Sequence, residues 1–314
     1  MKKFEKVTWI IFIILFFCGS TLPLPGNLCR AASSEVNYTT FQANCTLANG
    51  NQKTLTIHTW CPQDTQNGPY PLVIFSHGYL FGSATQSKYI TEGLAQQGYI
   101  VCATTYEDSI YYRGQKNSVP GYWDRPLEAK AIIDEILRLN NTPDSPFYGI
   151  VDENNIGVCG HSLGGWTSEA LCGAVPPDYK VCMDNRVDAG VFYAPANVMT
   201  QEELTNAENI HVPTMFIFGE KDKGVTAEES RFVYDVADPP KYLAIVKGIR
   251  HMDFSNTGAK KAGAAATLEY TIAFFDRYLK DLNTDDILQT KHSSFVSYEY
   301  IVDTVTITLK YPLN

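Results

Sequence analysis

Beyond residue 70, short apolar runs alternate with segments whose apolar residues recur at helical spacing. The apolar runs are rich in Val, Ile, Phe and Tyr and indicate buried strands at 71–78, 99–106, 155–160, 187–195, 212–220 and 241–248. Helical patterns lie at 87–96, 125–139, 225–237 and 264–282, and another begins after residue 162. Continuously apolar strands joined by amphipathic helices favour a mostly parallel sheet with helices on both faces. The sequence therefore predicts an α/β fold.

Length and composition suit one folded domain. The chain has 314 residues, of which 45% are hydrophobic and 19% are charged, and these values are ordinary for a globular protein. No internal repeat, low-complexity segment or long linker divides it. We predict a signal peptide at about 1–31, N-terminal strands at 32–69, an α/β core at 70–282 and a C-terminal β tail at 283–314. The alternating pattern of the tail predicts an edge strand or a hairpin.

The N-terminus has the pattern of a secretory signal. A lysine-rich start precedes an apolar run at 8–18, and small or helix-breaking residues follow. The run is shorter than the roughly 20 apolar residues that a membrane-spanning helix requires. Cleavage is expected after Ser20 or after Ala31, and the pattern does not choose between them. We expect a protein that is secreted, periplasmic or held at the cell surface, without stable membrane insertion after cleavage; an uncleaved anchor is the alternative.

The eight cysteines fit an oxidising compartment. We expect two local disulfides, Cys45–Cys61 in the N-terminal section and Cys172–Cys182 across an intervening loop. Cys102 and Cys159 lie inside apolar strands and are expected to be buried thiols. No group of cysteines and histidines has the spacing of a zinc site, so we predict no metal and no cofactor.

Residues 160–164 form a G-x-S-x-G motif centred on Ser162. The motif follows a predicted strand and begins a predicted helix, which is the context of a nucleophile elbow. In such a turn the serine hydroxyl projects above the sheet, and side chains two residues to either side would clash. Gly160 and Gly164 satisfy that requirement. The sequence therefore predicts Ser162 as a nucleophile.

A serine nucleophile needs a base within hydrogen-bond reach. After a nucleophile elbow the chain order is serine, then acid, then histidine. His251 follows the predicted strand at 241–248, in a loop at the carboxyl edge of the sheet, where ligands bind in open α/β sheets. His211 instead begins a strand, and His292 lies in the polar tail. We predict His251 as the base.

The acid that orients the base should follow the preceding strand. Glu220 and Asp222 both lie just beyond the strand that ends at Gly219. Asp222 is far enough into the loop to turn toward the histidine, so we prefer it. Glu220 remains the alternative.

The oxyanion of a tetrahedral intermediate needs preorganised N–H donors. We predict the backbone amide of Leu163 as one donor and that of Tyr79, after the strand at 71–78, as the other. His77 precedes the serine and lies on the oxyanion loop, so it is rejected as a base. Trp166 and Phe81 are the predicted substrate-binding residues, because aromatic side chains beside the elbow would favour apolar acyl or aromatic ester groups.

These residues together resemble the α/β-hydrolase superfamily. Within it the chain is most similar to the branch of dienelactone-hydrolase-like enzymes, plasma-type platelet-activating-factor acetylhydrolases and cutinase-like polyesterases. The segments that carry the likeness are PLVIFSHGY, GYIVCATTY, DRPLEAKAIIDEIL, NIGVCGHSLGG, PTMFIFGEKD and GIRHMDF, which span about residues 70 to 282.

The resemblance implies Ser162, Asp222 and His251 as the catalytic triad, with the amides of Tyr79 and Leu163 as oxyanion donors. Two departures narrow the expected activity. Dienelactone hydrolases proper use a cysteine nucleophile, and Ser162 argues against that activity. The short segment between the elbow helix and Asp222 leaves little room for a lid domain, which favours an open cleft over an interfacial lipase.

We therefore predict an exported serine hydrolase that cleaves carboxylic esters through an acyl-enzyme intermediate. The expected substrate is a small-molecule, lipid or polymer ester, and the formal net charge of −9 argues against nucleic acid as a partner. One alternative is a serine peptidase or acyltransferase on the same fold. Another is a non-catalytic surface-binding protein that has kept the fold.

Overall fold

The computed structural model describes residues 35–79, 82–107, 121–198, 210–290, 294, 296–302 and 306–309. The expected signal peptide lies outside these residues. Within them the chain forms one ten-stranded sheet in the order β1-β2-β4-β3-β5-β6-β7-β8-β9-β10. The strands are β1 Val36–Thr46, β2 Gln52–Pro62, β3 Tyr70–Ser76, β4 Ile100–Thr104, β5 Val151–His161, β6 Val187–Tyr193, β7 Thr214–Gly219, β8 Lys241–Val246, β9 Val296–Ile301 and β10 Thr306–Leu309.

The centre of the sheet is parallel and its two ends are antiparallel. Strands β4, β3, β5, β6, β7 and β8 run in one direction. The hairpin of β1 and β2 joins β4 in antiparallel pairing at one end, and β9 and β10 join β8 at the other. Every residue of β3, β4 and β7 is buried, as expected of strands covered on both faces. The α/β-hydrolase fold and the C-terminal hairpin are therefore confirmed.

Helices cover the two faces of this sheet. They are α1 Lys88–Gln96, α2 Asp124–Asn140, α3 Leu163–Cys172, α4 Ala227–Ser230, α5 Phe232–Val236, α6 Ala262–Leu279 and α7 Asp285–Leu288. Helix α2 buries Ala129, Ile132, Ile133 and Ile136, which lie on one face at helical spacing. None of the helices in the described part of the chain combines the length and the apolar character needed to cross a membrane.

One predicted helix is divided. The segment at 225–237 forms the two short helices α4 and α5, separated at Arg231. The guanidinium of Arg231 reaches both Asp235 on its own segment and Glu299 on β9. These contacts tie the segment to the neighbouring strand, so tertiary packing outweighs the helical periodicity of the sequence.

The two expected disulfides do not form. On the β1–β2 hairpin Cys45 lies opposite Lys53, whereas Cys61 lies opposite Asn37. That register separates the two cysteines by roughly 27 Å at about 3.4 Å per residue, whereas a disulfide needs Cα atoms within about 7 Å. The prediction of this disulfide was wrong because both cysteines are on paired strands rather than in a local loop.

The second pair also consists of separate thiols. The sulfur of Cys172 packs against Gly190 of β6, and Cys182 directs its sulfur toward the carbonyl of Trp123, 4.0 Å away. All six cysteines in the described residues are free and buried. Burial raises the pKa of each of these thiols, which makes them unreactive packing residues.

Glu169, on helix α3, has a buried carboxyl group. Its residue is 3% exposed, and its Oε1 has no hydrogen-bond partner among the described residues. Burial raises the pKa of Glu169 well above its usual value, so the folded state holds a proton that the unfolded chain releases. The stability that this group contributes is therefore fully present below the unfolded pKa of about 4.3 and is lost as the pH rises toward the folded pKa.

Replacing Glu169 with Gln should remove the loss of stability at higher pH, because a neutral amide does not have to take up a proton on folding. We expect the variant to melt at the same temperature as the wild type near pH 4.5 and several degrees higher at pH 8, since one proton changes stability by up to about 1.4 kcal/mol per pH unit. Melting curves between those pH values test this, with the exposed Glu228→Gln as control. A constant difference at every pH would contradict the assignment.

Candidate active site

The G-x-S-x-G motif forms a sharp turn between β5 and α3. Ser162 has φ 56° and ψ −119°, a conformation that L-residues adopt only when their surroundings impose it. Its amide donates to the carbonyl of Tyr193 at 2.9 Å. Its carbonyl accepts from the amides of Ala196 and Trp166 at 2.9 and 3.1 Å. These bonds hold the serine in the strained turn.

The two motif glycines are needed because backbone atoms pass too close for a side chain. A Cβ at Gly160 would lie 2.2 Å from the carbonyl oxygen of Gly164. A Cβ at Gly164 would lie 2.0 Å from the carbonyl oxygen of Ser76 on the neighbouring strand. Both distances are far inside van der Waals contact. The elbow can therefore approach β3 only if both positions lack side chains.

The structure brings Ser162, His251 and Asp222 into one hydrogen-bonded chain. His251 Nε2 lies 2.9 Å from Ser162 Oγ, and His251 Nδ1 lies 2.7 Å from Asp222 Oδ2. The three residues follow β5, β8 and β7 respectively. Because these strands are parallel, their carboxyl ends share one edge of the sheet, and residues far apart in sequence meet there.

Asp222 is held as an anion despite its burial. Its side chain is fully buried, and its Oδ1 accepts from the amides of Gly224 and Val225 at 2.8 and 3.0 Å. Burial pushes its pKa upward, but the hydrogen bonds from His251 and the two amides outweigh burial and hold the pKa below its usual value. A carboxylate at this position keeps the proton of neutral His251 on Nδ1, so that the Nε2 lone pair faces the serine.

The rival residues have other partners. Glu220 accepts from the amide of Gly248 at 2.9 Å, whereas Asp222 is the carboxylate bonded to the imidazole of His251. His211 pairs with Asp238 at the surface, at 2.7 Å. His292 lies outside the described residues.

The two predicted oxyanion amides belong to two segments that adjoin Ser162. Leu163 is the first residue of α3, and the first amides of a helix have no intrahelical acceptor. Tyr79 follows Gly78. A Cβ added at Gly78 would lie 3.4 Å from the Cβ of Ser162. The loop after β3 therefore runs beside the serine. Whether both amides bind an oxyanion stays a prediction.

The structure describes one of the two predicted substrate-binding residues. Phe81 lies outside the described residues. Trp166 is 1% exposed and packs edge-on against Tyr122 and Trp123, with ring centroids 5.4 and 5.0 Å away. Trp166 is therefore buried within this aromatic cluster. The partly exposed rings of Tyr122 and Trp123 are its more accessible part.

His161 is a residue of the site that the sequence analysis did not consider. It is 1% exposed, and its ring lies 4.7 Å from that of His251 and 5.6 Å from that of Phe254. Burial, followed by the proximity of His251, lowers the pKa of His161 to about 3. A neutral imidazole thus packs against the base and brings no competing charge. Its position inside the motif was the only available signal.

In the described part of the chain, no three side chains of His, Cys, Asp or Glu cluster to hold an ion. The arrangement suits acyl transfer, for which a hydroxyl, an imidazole and a carboxylate in this geometry are sufficient.

Comparisons with known proteins identify the family of the chain. The chain is 28% identical over 233 residues to "Protein usf" of Aquifex pyrophilus, covering 68% of this chain and 89% of that protein. It is 26% identical over 233 residues to "Putative carboxymethylenebutenolidase" of Aquifex aeolicus (strain VF5), covering 68% of this chain and 90% of that protein. A family model described as PET hydrolase-like matches residues 34–299. The chain therefore belongs to the PET hydrolase-like family of the α/β-hydrolase superfamily.

Proposed function

We propose that this protein is an exported serine hydrolase that cleaves carboxylic esters through an acyl-enzyme intermediate. The observation that carries the proposal is the pair of hydrogen bonds that joins Ser162 to His251 and His251 to Asp222, at 2.9 and 2.7 Å. Such a chain is the arrangement that activates a serine hydroxyl. A non-catalytic protein would have no need for it.

In the first half-reaction Ser162 Oγ attacks the ester carbonyl while His251 Nε2 takes the hydroxyl proton. The tetrahedral intermediate carries its negative charge on the former carbonyl oxygen, where the amides of Leu163 and Tyr79 donate hydrogen bonds. The intermediate collapses when the alcohol leaves with the proton from His251. The products of this step are the free alcohol and a Ser162 ester.

In the second half-reaction water takes the place of the alcohol. His251 removes a proton from the water as it attacks the acyl group. The proton then returns to Ser162 Oγ as the bond between Oγ and the acyl carbon breaks and the carboxylic acid is released. Asp222 keeps the imidazole in one tautomer and stabilises its protonated form in both halves. General acid–base help contributes about 10²–10⁴-fold, and each oxyanion donor about 10²–10³-fold.

The family and the site support a proposal for the substrate class. The family is described as PET hydrolase-like, and one relative carries the name carboxymethylenebutenolidase. We propose a small-molecule, lipid or polymer ester as the substrate. The serine nucleophile argues against the dienelactone hydrolase reaction itself, for which a cysteine would be expected.

Covalent labelling tests the proposal directly. We expect a fluorophosphonate probe to modify the peptide that contains Ser162, and a nitrophenyl ester to protect that peptide in competition. Ser168, on the same helix, serves as an internal control that stays unmodified. Nitrophenyl esters of increasing acyl length should be turned over much faster than nitroanilides of the same acids. Absence of label would contradict a catalytic role, and preferred anilide cleavage would indicate a peptidase.

A further inference from the structure

A buried polar network lies directly behind the loop that carries Tyr79. Its members are the side chains of Ser76, His77, Tyr106 and Arg125, and neither the predicted triad nor its mechanism uses them. His77 and Arg125 are completely buried, and Tyr106 is 1% exposed. Buried polar groups that are fully satisfied tend to fix one conformation of the backbone around them.

The hydrogen bonds of His77 determine which of its nitrogens carries the proton. The amide of Tyr106 donates to Nε2 at 2.9 Å, so Nε2 must be the unprotonated nitrogen. Neutral imidazole then carries its proton on Nδ1. Nδ1 lies 2.7 Å from the carbonyl oxygen of Gly78, and therefore donates to it.

The carbonyl of Gly78 and the amide of Tyr79 belong to the same peptide unit. A trans peptide is planar, and its C=O and N–H bonds point in opposite directions. A hydrogen bond that holds the Gly78 oxygen toward His77 therefore also fixes the direction of the Tyr79 N–H. Because Gly78 packs against the Cβ of Ser162, this peptide lies beside the nucleophile.

The imidazole is itself held in place from several directions. Arg125 Nη1 donates to the carbonyl of His77 at 2.7 Å, and its guanidinium lies 4.6 Å from the centroid of the Tyr106 ring. The hydroxyl of Tyr106 lies 2.8 Å from Ser76 Oγ. Gly82 packs so closely that a Cβ there would lie 2.2 Å from both the Gly78 oxygen and His77 Nδ1. The bond between His77 and Gly78 thus has little freedom to rearrange.

We propose that His77 is a positioning residue that sets the orientation of the Tyr79 oxyanion donor through the Gly78 carbonyl. This inference rests on the proposed function, because an oxyanion forms only if Ser162 attacks an ester. His77 does not touch the substrate, and its effect passes entirely through one peptide plane. The side chain acts in its Nδ1–H form, which the amide of Tyr106 selects.

Two replacements by amide side chains separate the two hydrogen bonds of the ring. In His77→Asn the amide nitrogen occupies the position of Nδ1 and retains the bond to Gly78. In His77→Gln the amide group reaches only the position of Nε2 and loses that bond. We expect His77→Gln to lower kcat by roughly 10- to 100-fold with KM nearly unchanged, and His77→Asn to retain kcat within about fivefold of the wild type.

An oxyanion-specific ligand supplies a readout that general destabilisation would not change. A trifluoromethyl ketone binds serine hydrolases as a tetrahedral oxyanion adduct. We expect its affinity to fall in the same proportion as kcat/KM across the wild type, His77→Asn and His77→Gln, while melting temperatures confirm folding. Equal kcat for the two variants, or a change in KM alone, would overturn the inference.

A measurement on the wild type keeps the inference testable if His77→Gln does not fold. Nitrogen-15 spectra of the histidine rings should show His77 protonated at Nδ1 and unprotonated at Nε2; the reverse tautomer would refute the mechanism. The Ser162→Ala variant distinguishes a failure of the inference on His77 from a failure of the proposed function. If Ser162→Ala retains turnover, the proposed function fails, whereas a silent Ser162→Ala with an unaffected His77→Gln refutes only the role of His77.

Discussion

The Ser162→Ala variant should lose roughly 10⁵–10⁶-fold in kcat for nitrophenyl esters, which is about the cost of removing the nucleophile of an assembled triad. The loss is this large because His251 Nε2 has the Ser162 hydroxyl as its 2.9 Å partner, and alanine offers no oxygen that the base could activate. Alanine can still occupy the strained turn, since the hydrogen bonds that hold residue 162 come from its backbone. We therefore expect a folded protein with almost no activity.

Ser168→Ala is the matched control for this variant. Ser168 lies on the same helix, and its hydroxyl donates to the carbonyl of Gly164 at 3.0 Å, so its loss should change kcat by no more than about threefold. Steady-state kinetics and melting curves on both variants make the comparison. Turnover by Ser162→Ala within about tenfold of the wild type would refute the nucleophile assignment.

Much of the fold could be predicted because its strands are apolar along their whole length. The runs at 71–78 and 99–106 stand out from their surroundings, and their order with the helices specifies a parallel sheet. The segment at 225–237 shows the limit of such patterns. Its periodicity indicates one helix, but the ion pairs of Arg231 with Asp235 and Glu299 depend on where β9 lies, which local sequence does not contain.

In the candidate site, too, local patterns predict some features, whereas others depend on the folded arrangement of the chain. The contact between Ser162 and His251 could be predicted because motif and chain order point to both residues, and the contact of Asp222 with His251 because Asp222 follows a strand end. The disulfides could not be judged in this way, since the distance between Cys45 and Cys61 depends on the register of a hairpin. The proposed role of His77 could not be inferred either, because Tyr106 and Arg125, which hold it beside the adjacent Gly78, come from the loop after β4 and from helix α2.

The Asp222→Asn variant should show how strictly the acid determines the tautomer of the base. Two backbone amides, those of Gly224 and Val225, donate to Oδ1. In the variant they will retain the amide oxygen of Asn at that position, because the NH₂ group cannot accept from them. The NH₂ group must then face His251 Nδ1, where it donates, and the imidazole proton moves to Nε2.

A proton on Nε2 points at Ser162 Oγ, so His251 can no longer accept the proton of the hydroxyl. We expect kcat to fall by about 10⁴-fold, the effect of forcing the wrong tautomer in a serine triad, with little change in melting temperature. Glu220→Gln is the matched control, since Glu220 bonds to the amide of Gly248, and it should keep kcat within about twofold. The assignment of the acid would be wrong if the two variants lost activity equally. Because both substitutions replace one carboxylate by its amide, the difference between them isolates the hydrogen bond to the base from the general loss of negative charge near the site.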